Sequence, residues 1–317
     1  QIDGSQGEGG GQMVRSSLAL AAATGTPFTI TNIRANRPKP GLMRQHAAAV
    51  AAVAAVCSAR VQGGHAGSRE LVFEPGAVRG GTHRVRVGSA GSTLLVLQAV
   101  LPVLMFADEP SVVTIEGGTH VAWAPPFDYI ERVGAPVLSG LGGRMAVTLE
   151  RHGFYPAGGG RIRVEVEPVG TPRPVHMLER GEIRMRRASV VLSGLHRSVG
   201  ERQLERVREK LGWESDHTCF AHVEAHSAGT MLSLEVGSEG ITELFCALGE
   251  RGKSGEIVAD EAIEAVRAYL AWGVPVGEHL ADQLMVPFAL AAQRGAACSF
   301  ATGRLSLHAT TNTEVVG

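Results

Sequence analysis

The chain has 317 residues, of which 44% are hydrophobic and 19% are charged, and its formal net charge is −1 at pH 7. These values describe an ordinary globular protein that is long enough for two domains, or for one large domain with an insert. The balanced charge excludes a global basic field, so any contact with RNA has to be a local patch. The longest apolar run, residues 47–57, is too short to span a bilayer.

Cysteine usage and the first residues indicate the compartment. The four cysteines are scattered and form no C-x-x-C pair, which argues against a structural zinc site or a disulfide scaffold. No secretory apolar segment precedes the first glycine run. We therefore expect a soluble, cytoplasmic protein with no membrane partner, and the sequence leaves its oligomeric state open.

The first part of the chain alternates between glycine loops, helices and strands. A glycine loop at residues 4–12 precedes an apolar stretch with helical character, and Pro38 to Gly41 interrupts the chain before the next helix. The pattern predicts helices at Gln12–Ala23 and Leu42–Cys57, and strands at Phe28–Ile33, Ala59–Gln62, Leu71–Glu74 and His83–Val87.

The same pattern then recurs. The turn Gly88-Ser-Ala-Gly91 precedes a second apolar helix, and Gly117-Gly-Thr precedes a third. The predicted elements are helices Leu94–Phe106 and Phe127–Leu138, and strands Ser111–Glu116, Met145–Glu150 and Arg161–Glu167, the last two flanking the glycine cluster 153–160. Recurrence of strand, glycine loop, helix and strand predicts an internally repeated α/β architecture.

Between Thr171 and Gly273 the pattern changes, and Pro172 and Pro174 indicate a linker. The segment is predicted to alternate strand, helix, strand, strand and helix at 183–192, 199–211, 219–225, 231–236 and 256–272. We interpret it as an inserted small α/β domain at 177–273, with residues 1–176 and 274–317 forming the repeat-built domain.

The C-terminal part contains the side chain with the clearest chemical potential. A helix is predicted from Gly277 to about Ala292. Arg304 to His308 alternates like a short strand, and the next polar residues, Thr310 to Asn312, suit the N-cap of a following helix. This would place His308 at a helix N-terminus, which favours phosphate, where an imidazole can attack phosphorus. The alternative is a structural histidine, one of 12 in the chain.

Three further groups of residues suit phosphate or nucleotide chemistry. Glu8 lies in the first glycine loop, which is neither a P-loop nor a Rossmann fingerprint, and is either a Mg²⁺ or Mn²⁺ ligand or a solvated glutamate. A basic group after the first strand is either a phosphate and RNA grip or a solvated face. A third group offers a flat apolar slot and hydrogen-bonding groups for a nucleotide, although each member alone suits a core or cap role. The basic group is Arg15, Arg34, Arg37, Arg44, Gln45 and His46; the third is Gln98, Pro125, Pro126, Tyr129, His279, Leu280, Ala281, Asp282 and Gln283.

Taken in order, these motifs resemble the RNA 3′-terminal phosphate cyclase family. The resemblance spans nearly the whole chain. It is carried by Asp3-Gly-Ser-Gln-Gly-Glu-Gly-Gly-Gly-Gln12, Ile33-Arg-Ala-Asn-Arg37, Lys39-Pro-Gly-Leu-Met-Arg-Gln-His46, Gly88-Ser-Ala-Gly91, Gly117-Gly-Thr119, Arg151-His-Gly-Phe-Tyr-Pro-Ala-Gly-Gly-Gly160, Gly277-Glu-His-Leu-Ala-Asp-Gln283 and Leu307-His308. It implies βαβαββ-type repeats, as in enolpyruvate transferases, with a small thioredoxin-like α/β insert.

The resemblance also implies a reaction. ATP and a divalent cation, Mg²⁺ or Mn²⁺, would convert an RNA 3′-phosphate into a 2′,3′-cyclic phosphodiester, and His308 would carry AMP as a covalent intermediate. Gln98, Pro125, Tyr129 and residues 279–283 match the ATP pocket, and Glu8 matches a metal-contacting position. The basic group matches the phosphate- and RNA-handling residues. His279 departs from the pattern, because the family often has tyrosine there.

Two other functions are compatible with the same fold. A non-catalytic cyclase-like factor for ribosomal RNA processing would be expected to lack the nucleophilic histidine, whereas His308 is present. An enolpyruvate transferase would need a site rich in lysine and arginine, and lysine is scarce in this chain.

Overall fold

The computed structural model describes residues 1–7, 9–214 and 217–316, and it shows a mixed α/β protein. The first unit has the element order β-α-β-α-β-β. Its elements are β1 (Ile2–Asp3), α1 (Gly11–Thr24), β2 (Phe28–Thr31), α2 (Arg44–Cys57), β3 (Arg60–Gln62) and β4 (Leu71–Glu74). The sheet order is β1-β2-β4-β3, in which only β1 and β2 are parallel.

The second unit repeats this topology. It consists of β5 (Gly81–Arg86), α3 (Thr93–Met105), β6 (Ser111–Gly117), the helical segment 127–139, β7 (Arg144–Arg151) and β8 (Gly160–Glu167). The helical segment comprises α4 (Phe127–Tyr129), a π-helical turn (Ile130–Gly134) and α5 (Ala135–Ser139). The sheet order is β5-β6-β8-β7, with only β5 and β6 parallel. Two sheets with the same order and directions confirm the predicted βαβαββ repeat.

A third unit begins with the same elements but is interrupted. The short strand β9 (His176–Met177) pairs in parallel with β14 (Ser299–Phe300), and the helices α8 (Glu278–Gln293) and α9 (Leu307–Val316) belong to the same unit. Between β9 and α8 lies a separate sheet with the order β11-β10-β12-β13. It is formed by β10 (Ile183–Ser193), α6 (Ser198–Leu211), β11 (Thr218–His222), β12 (Gly229–Ser238), β13 (Thr242–Leu248) and α7 (Gly255–Trp272). The sequence pattern did not predict β13.

The hydrophobic core follows this organisation. One cluster of buried side chains joins the first two units to α8, and a second cluster is confined to residues 188–269. Between the two lie specific polar contacts, for example Arg132 Nη1 to Glu235 Oε2 at 3.0 Å and Tyr269 Oη to the carbonyl of Pro275 at 2.9 Å. The division is not complete, because Met177 of β9 and Ile241 and Leu244 beside or in β13 belong to the first cluster. Since the second cluster nevertheless lies wholly within the inserted sheet and its helices, we propose the domain division 1–176 with 274–317, and 177–273.

The predicted strand at Arg304 to His308 is wrong, because α9 already begins at Leu307. Its cap is Ser306, whose hydroxyl accepts from the backbone N–H of Ala309 at 2.9 Å, and not one of the polar residues 310–312. The hydroxyl of Thr310 instead donates back to the carbonyl of Ser306 at 2.8 Å. An alternation of only five residues does not distinguish a strand from the start of a helix. The capping hydrogen bond of Ser306 stabilises the helix. His308 thus lies in the first turn of α9.

Within residues 1–7, 9–214 and 217–316, no helix is both long enough and apolar enough to cross a bilayer.

Candidate active site

The corresponding first helices of the three units, α1, α3 and α8, pack against one another, and α9 lies against α1 and α8. Helix α1 is mostly apolar, but it buries a polar stripe of Gln12, Arg15 and Ser16 on the side that faces these neighbours. The spacing of three and four residues places all three side chains on one helix face. This buried stripe is the centre of the candidate site.

Arg15 is the cation at the centre. Its Nε donates to Oε1 of Gln98 on α3 at 2.9 Å, and its Nη2 donates to the side chain of Gln12. Burial lowers the pKa of Arg15 to about 10, and the Asp282 carboxylate opposes the shift. Arg15 therefore remains charged at neutral pH although it is buried. Its two hydrogen bonds hold that charge in one position.

Asn312 joins α9 to both neighbouring helices. Its Oδ1 accepts from the hydroxyl of Ser16 at 2.5 Å, and its Nδ2 donates to Oδ1 of Asp282 at 2.5 Å and to the backbone carbonyl of Asp282 at 3.3 Å. The Asn312 side chain is 1% exposed. One amide group thus fixes the position of α9 relative to α1 and α8.

Asp282 and His308 are the remaining titratable groups of the site. Burial raises the pKa of Asp282, while His308, Arg15 and the hydrogen bond from Asn312 favour its ionised form. Burial against one side of the imidazole lowers the pKa of His308, and Asp282 opposes this effect. His308 is nevertheless exposed to solvent. Its ring is therefore neutral at pH 7 and accessible, which are the two requirements for a nitrogen nucleophile.

Further positive groups act on His308. Besides Arg15, the positive charges of His279 and Arg37 also lower its pKa. His279, in the first turn of α8, is exposed. Arg37 follows the first unit's second strand and is half-buried. The structure thus brings one member of the predicted nucleotide group and one member of the predicted phosphate group into the field around the imidazole.

Two adjoining cavities lie between these helices. The larger has about 500 Å³ of space between mainly apolar walls, part of it open to solvent, and the smaller, with about 250 Å³ in the same sense, is lined by Arg15 and Asp282. Both are bordered by Gln98 and Gln283. The predicted nucleotide residues that line the larger cavity are Gln98, Pro125, Tyr129, Leu280 and Gln283. A mainly apolar cleft with a few polar groups is the usual form of a small-molecule site.

Two predicted nucleotide residues differ from this pattern. Ala281 is 1% exposed and belongs to the main core. Tyr129 lines the cleft but is almost fully buried, and its hydroxyl has no hydrogen-bond partner among the described residues. Burial raises the pKa of Tyr129 well above its usual value. The hydroxyl therefore stays protonated at neutral pH.

The remaining basic residues surround the first glycine loop and the Gly88–Gly91 turn. Arg34 donates to the carbonyls of Lys39 and Gly41 at 2.6 and 3.0 Å, which fixes its own loop. Arg44 Nη1 reaches the carbonyl of Gly88 at 3.4 Å, and Gln45 Oε1 accepts from the backbone N–H of Ser92 at 3.2 Å. Both side chains therefore connect the first unit to the glycine turn of the second.

His46 is packed into the same region but is closed off. Its Nδ1 accepts from the backbone N–H of Met43 at 3.0 Å, and a Cβ atom at Gly11 would collide with its Nε2. Burial and then the charges of Arg15 and Arg34 lower its pKa to about 3. We infer that His46 is a neutral group that shapes the glycine loop.

The predicted metal ligand Glu8 lies outside the described residues. Within the described part of the chain, no three side chains of His, Cys, Asp or Glu are grouped as a metal site. The other carboxylate of this loop, Asp3, accepts through Oδ1 from Ser5 and Asn32 and so holds the loop in place.

Four residues of the site were not predicted for it from the sequence. Asn312 was interpreted as a helix cap, because its contacts with Ser16 and Asp282 depend on how the helices pack. Gln12 and Ser16 could have been found from the polar stripe at three- and four-residue spacing on an otherwise apolar helix. Glu243 could not, because its strand was not predicted. It is 2% exposed, and its Oε1 accepts from the backbone N–H of Gly277 at 2.6 Å, where α8 begins.

The repeated sheets and the site between their first helices define the class: a mixed α/β protein built from βαβαββ units. Residues 6–317 match the model of a known family, described as RNA 3′-terminal phosphate cyclase. The chain therefore belongs to the RNA 3′-terminal phosphate cyclase family, which confirms the resemblance seen in the sequence. Membership supports a ligase-type activity in RNA processing that uses ATP and RNA with a 3′-phosphate.

Proposed function

We propose that the protein converts an RNA 3′-terminal phosphate into a 2′,3′-cyclic phosphodiester, at the cost of ATP, through a covalent adenylate on His308. The observation that carries this proposal is the neutral, accessible His308 held beside Arg15 and Asp282 by Asn312. A protein that only bound RNA would gain nothing from a neutral, exposed histidine held beside a buried arginine and a carboxylate.

The first step forms a bond between an imidazole nitrogen of His308 and the α-phosphorus of ATP, and breaks the bond to pyrophosphate. The larger cavity would receive adenosine, with Pro125 and Tyr129 as its walls and Gln98 and Gln283 as hydrogen-bonding groups. Arg15 lines the smaller cavity, where its charge would stabilise the negative charge that develops on phosphate.

The second and third steps use the RNA. A phosphate oxygen of the RNA 3′ end attacks the same phosphorus, takes AMP from His308 and forms a phosphoanhydride. The adjacent 2′-hydroxyl then attacks the RNA phosphorus, loses its proton and displaces AMP. AMP is a better leaving group than a phosphate monoester oxygen, which explains why ATP is needed. Arg37 and Arg44 would hold the RNA phosphates, with His279 beside His308.

The protein would supply only a small part of the ligand set of a divalent cation. Mg²⁺ commonly takes one or two carboxylates and completes its shell with water and substrate phosphates. Glu8 would supply such a carboxylate, and the cation would neutralise charge on the triphosphate.

Incubation with α-labelled ATP and Mg²⁺ or Mn²⁺, without RNA, tests the proposal. We expect a label on the protein that is labile in acid and stable in alkali, and that is absent in His308→Ala. His196→Ala is the matched control, because His196 is an exposed histidine just before α6 in the inserted segment, where Ser198 is its hydrogen-bond partner. Labelling that persists in His308→Ala would show that another residue is the nucleophile, and no label in the wild type would favour a non-catalytic factor.

A further inference from the structure

The loop between β6 and α4 presents a large aromatic ring to solvent. Trp123 is 97% exposed, although tryptophan normally covers apolar surface. Its φ is +63°, in the left-handed region, which a bulky side chain adopts only where the surrounding structure fixes it. The ring therefore contributes no core packing, and its outward position is imposed by the loop.

The base of this loop is closed by buried polar contacts. The N–H of Phe127 donates to the carbonyl of Thr119 at 3.0 Å. His120 is 1% exposed and joins Asp128 through Nε2 at 2.9 Å and the Thr119 hydroxyl through Nδ1 at 2.8 Å. Because both ends of the loop are tied to the interior, residues 121–126 project as a fixed arch with Trp123 near its tip.

A second exposed aromatic ring stands on the neighbouring loop. Tyr155, in the glycine cluster 153–160, is 74% exposed. The N–H groups of Thr119 and His120 both donate to the carbonyl of Gly153, at 2.9 and 3.1 Å, so the two loops share one base. Two aromatic side chains are thus held out to solvent from adjoining rigid loops.

Arginine side chains and the larger cavity adjoin the two loops that carry these rings. The N–H of Gly118, where the arch begins, donates to the carbonyl of Gly91 at 2.8 Å, and Arg44 reaches the same turn at Gly88. Arg151 donates to the carbonyl of Gly159 in the second loop. Pro125, which lines the larger cavity, is two residues from Trp123, or at most about 7 Å along the backbone.

We propose that Trp123 and Tyr155 form a stacking platform for the last bases of a single-stranded RNA whose 3′-phosphate lies at His308. Aromatic rings beside guanidinium groups are the features by which proteins bind single strands without reading their sequence. The expected substrate is therefore an unpaired 3′ end, because bases within a duplex are already stacked on both faces and offer none to an aromatic ring. Its sequence should not matter, because every base can stack. This inference rests on the proposed function and extends it to the class of RNA.

Binding of a 3′-phosphorylated RNA oligonucleotide, without ATP, tests the platform. The chain has three tryptophans, and Trp213 is buried at 4% exposure. We expect single-stranded RNA to quench the intrinsic fluorescence, and Trp123→Phe to remove most of that quenching while it retains most of the affinity. Trp123→Ala and Tyr155→Ala should each weaken RNA binding by roughly 5- to 100-fold. Ile257→Ala, an exposed apolar residue on α7, is the control and should bind like the wild type.

The platform would be refuted by equal RNA affinity in the wild type, Trp123→Ala and Tyr155→Ala. It would also be refuted if oligonucleotides with abasic residues near the 3′ end bound as tightly as intact ones, or if a blunt duplex bound as tightly as a single strand. Quenching by ATP alone, with none by RNA, would assign the ring to the nucleotide cleft instead. Adenylation of His308 is measured without RNA, so its failure would refute the proposed function and leave the RNA-binding result to be judged separately.

Discussion

The substitution Asn312→Ala tests whether one amide group holds the candidate site together. The Asn312 side chain lies between Ser16 on α1 and Asp282 on α8, one helical turn after His308. Asn312→Ala removes the donor that bonds to the Asp282 carboxylate and the acceptor that bonds to the Ser16 hydroxyl. The position is too buried for water to replace either group. Asp282 and Ser16 are then left with unpaired groups.

The size of the effect follows from these two bonds. A hydrogen bond to a charged group contributes about 1.5–3 kcal/mol, and one between neutral groups about 0.5–1.5 kcal/mol. Asn312→Ala should therefore lower the free energy of unfolding by about 2–4.5 kcal/mol, a large share of the roughly 5–15 kcal/mol of a typical protein. Adenylation should fall as well, because α9 no longer holds His308 in one position.

Urea unfolding and ATP labelling measure the two effects. Thr310→Ala is the matched control. Thr310 is exposed on the same helix, and its hydroxyl donates to the carbonyl of Ser306, four residues earlier. It should change the unfolding free energy by less than about 0.5 kcal/mol. The exchange of the pair, Asn312→Asp with Asp282→Asn, restores one donor and one acceptor and should recover part of the loss. If Asn312→Ala is no less stable than Thr310→Ala, the amide does not hold the helices.

Three further predictions concern charge and pH. Burial raises the pKa of Glu243 from 4.5 to about 8, so the folded state holds this proton more tightly than the unfolded state. The stability that the bound proton contributes is fully present below pH 4.5. It is lost as the pH rises to 8, at about 1.4 kcal/mol per pH unit. Glu243→Gln should keep the contact with Gly277 and flatten that slope in urea unfolding measured from pH 5 to 8, and an unchanged slope would contradict it. Because burial lowers the pKa of His308, the adenylation rate should be constant from pH 8 to 7 and fall only below 6.5, whereas a half-maximal rate above pH 7 would argue against a neutral nucleophile. Arg37→Ala and Arg44→Ala should retain adenylation and lose RNA cyclisation, and an equal loss of both reactions would show that neither residue is specific to RNA.

The sequence predicted most elements because local signals agree with the fold. Glycine loops followed by apolar helices located α1 and α3 nearly to the residue, and the recurring pattern located the repeat. The missed strand β13 has the sequence Thr242-Glu-Leu-Phe-Cys-Ala-Leu248, in which a buried acid replaces the expected alternation. Its assignment depends on pairing with β12, which no local signal shows.

The site was only partly predictable, because its contacts join distant parts of the chain. Arg15 and Gln98 are 83 residues apart, and Ser16 and Asn312 are 296 apart. The sequence selected Arg15 and Gln98 through motifs, but it assigned them to different groups, whereas the structure pairs them. Asn312 was interpreted as a helix cap, and its bond to Asp282 depends on how α8 and α9 pack.

The repeat places two histidines at equivalent positions but in different surroundings. His46 and His308 each lie in the first turn of the second helix of their unit, α2 and α9. Both are neutral at pH 7, but His46 is 5% exposed with its Nε2 against Gly11, whereas His308 is exposed. Equivalent positions in a repeated fold thus carry the same side chain twice, in a buried and in an exposed setting. If His308 is the nucleophile, as we propose, its exposure is what distinguishes it from His46.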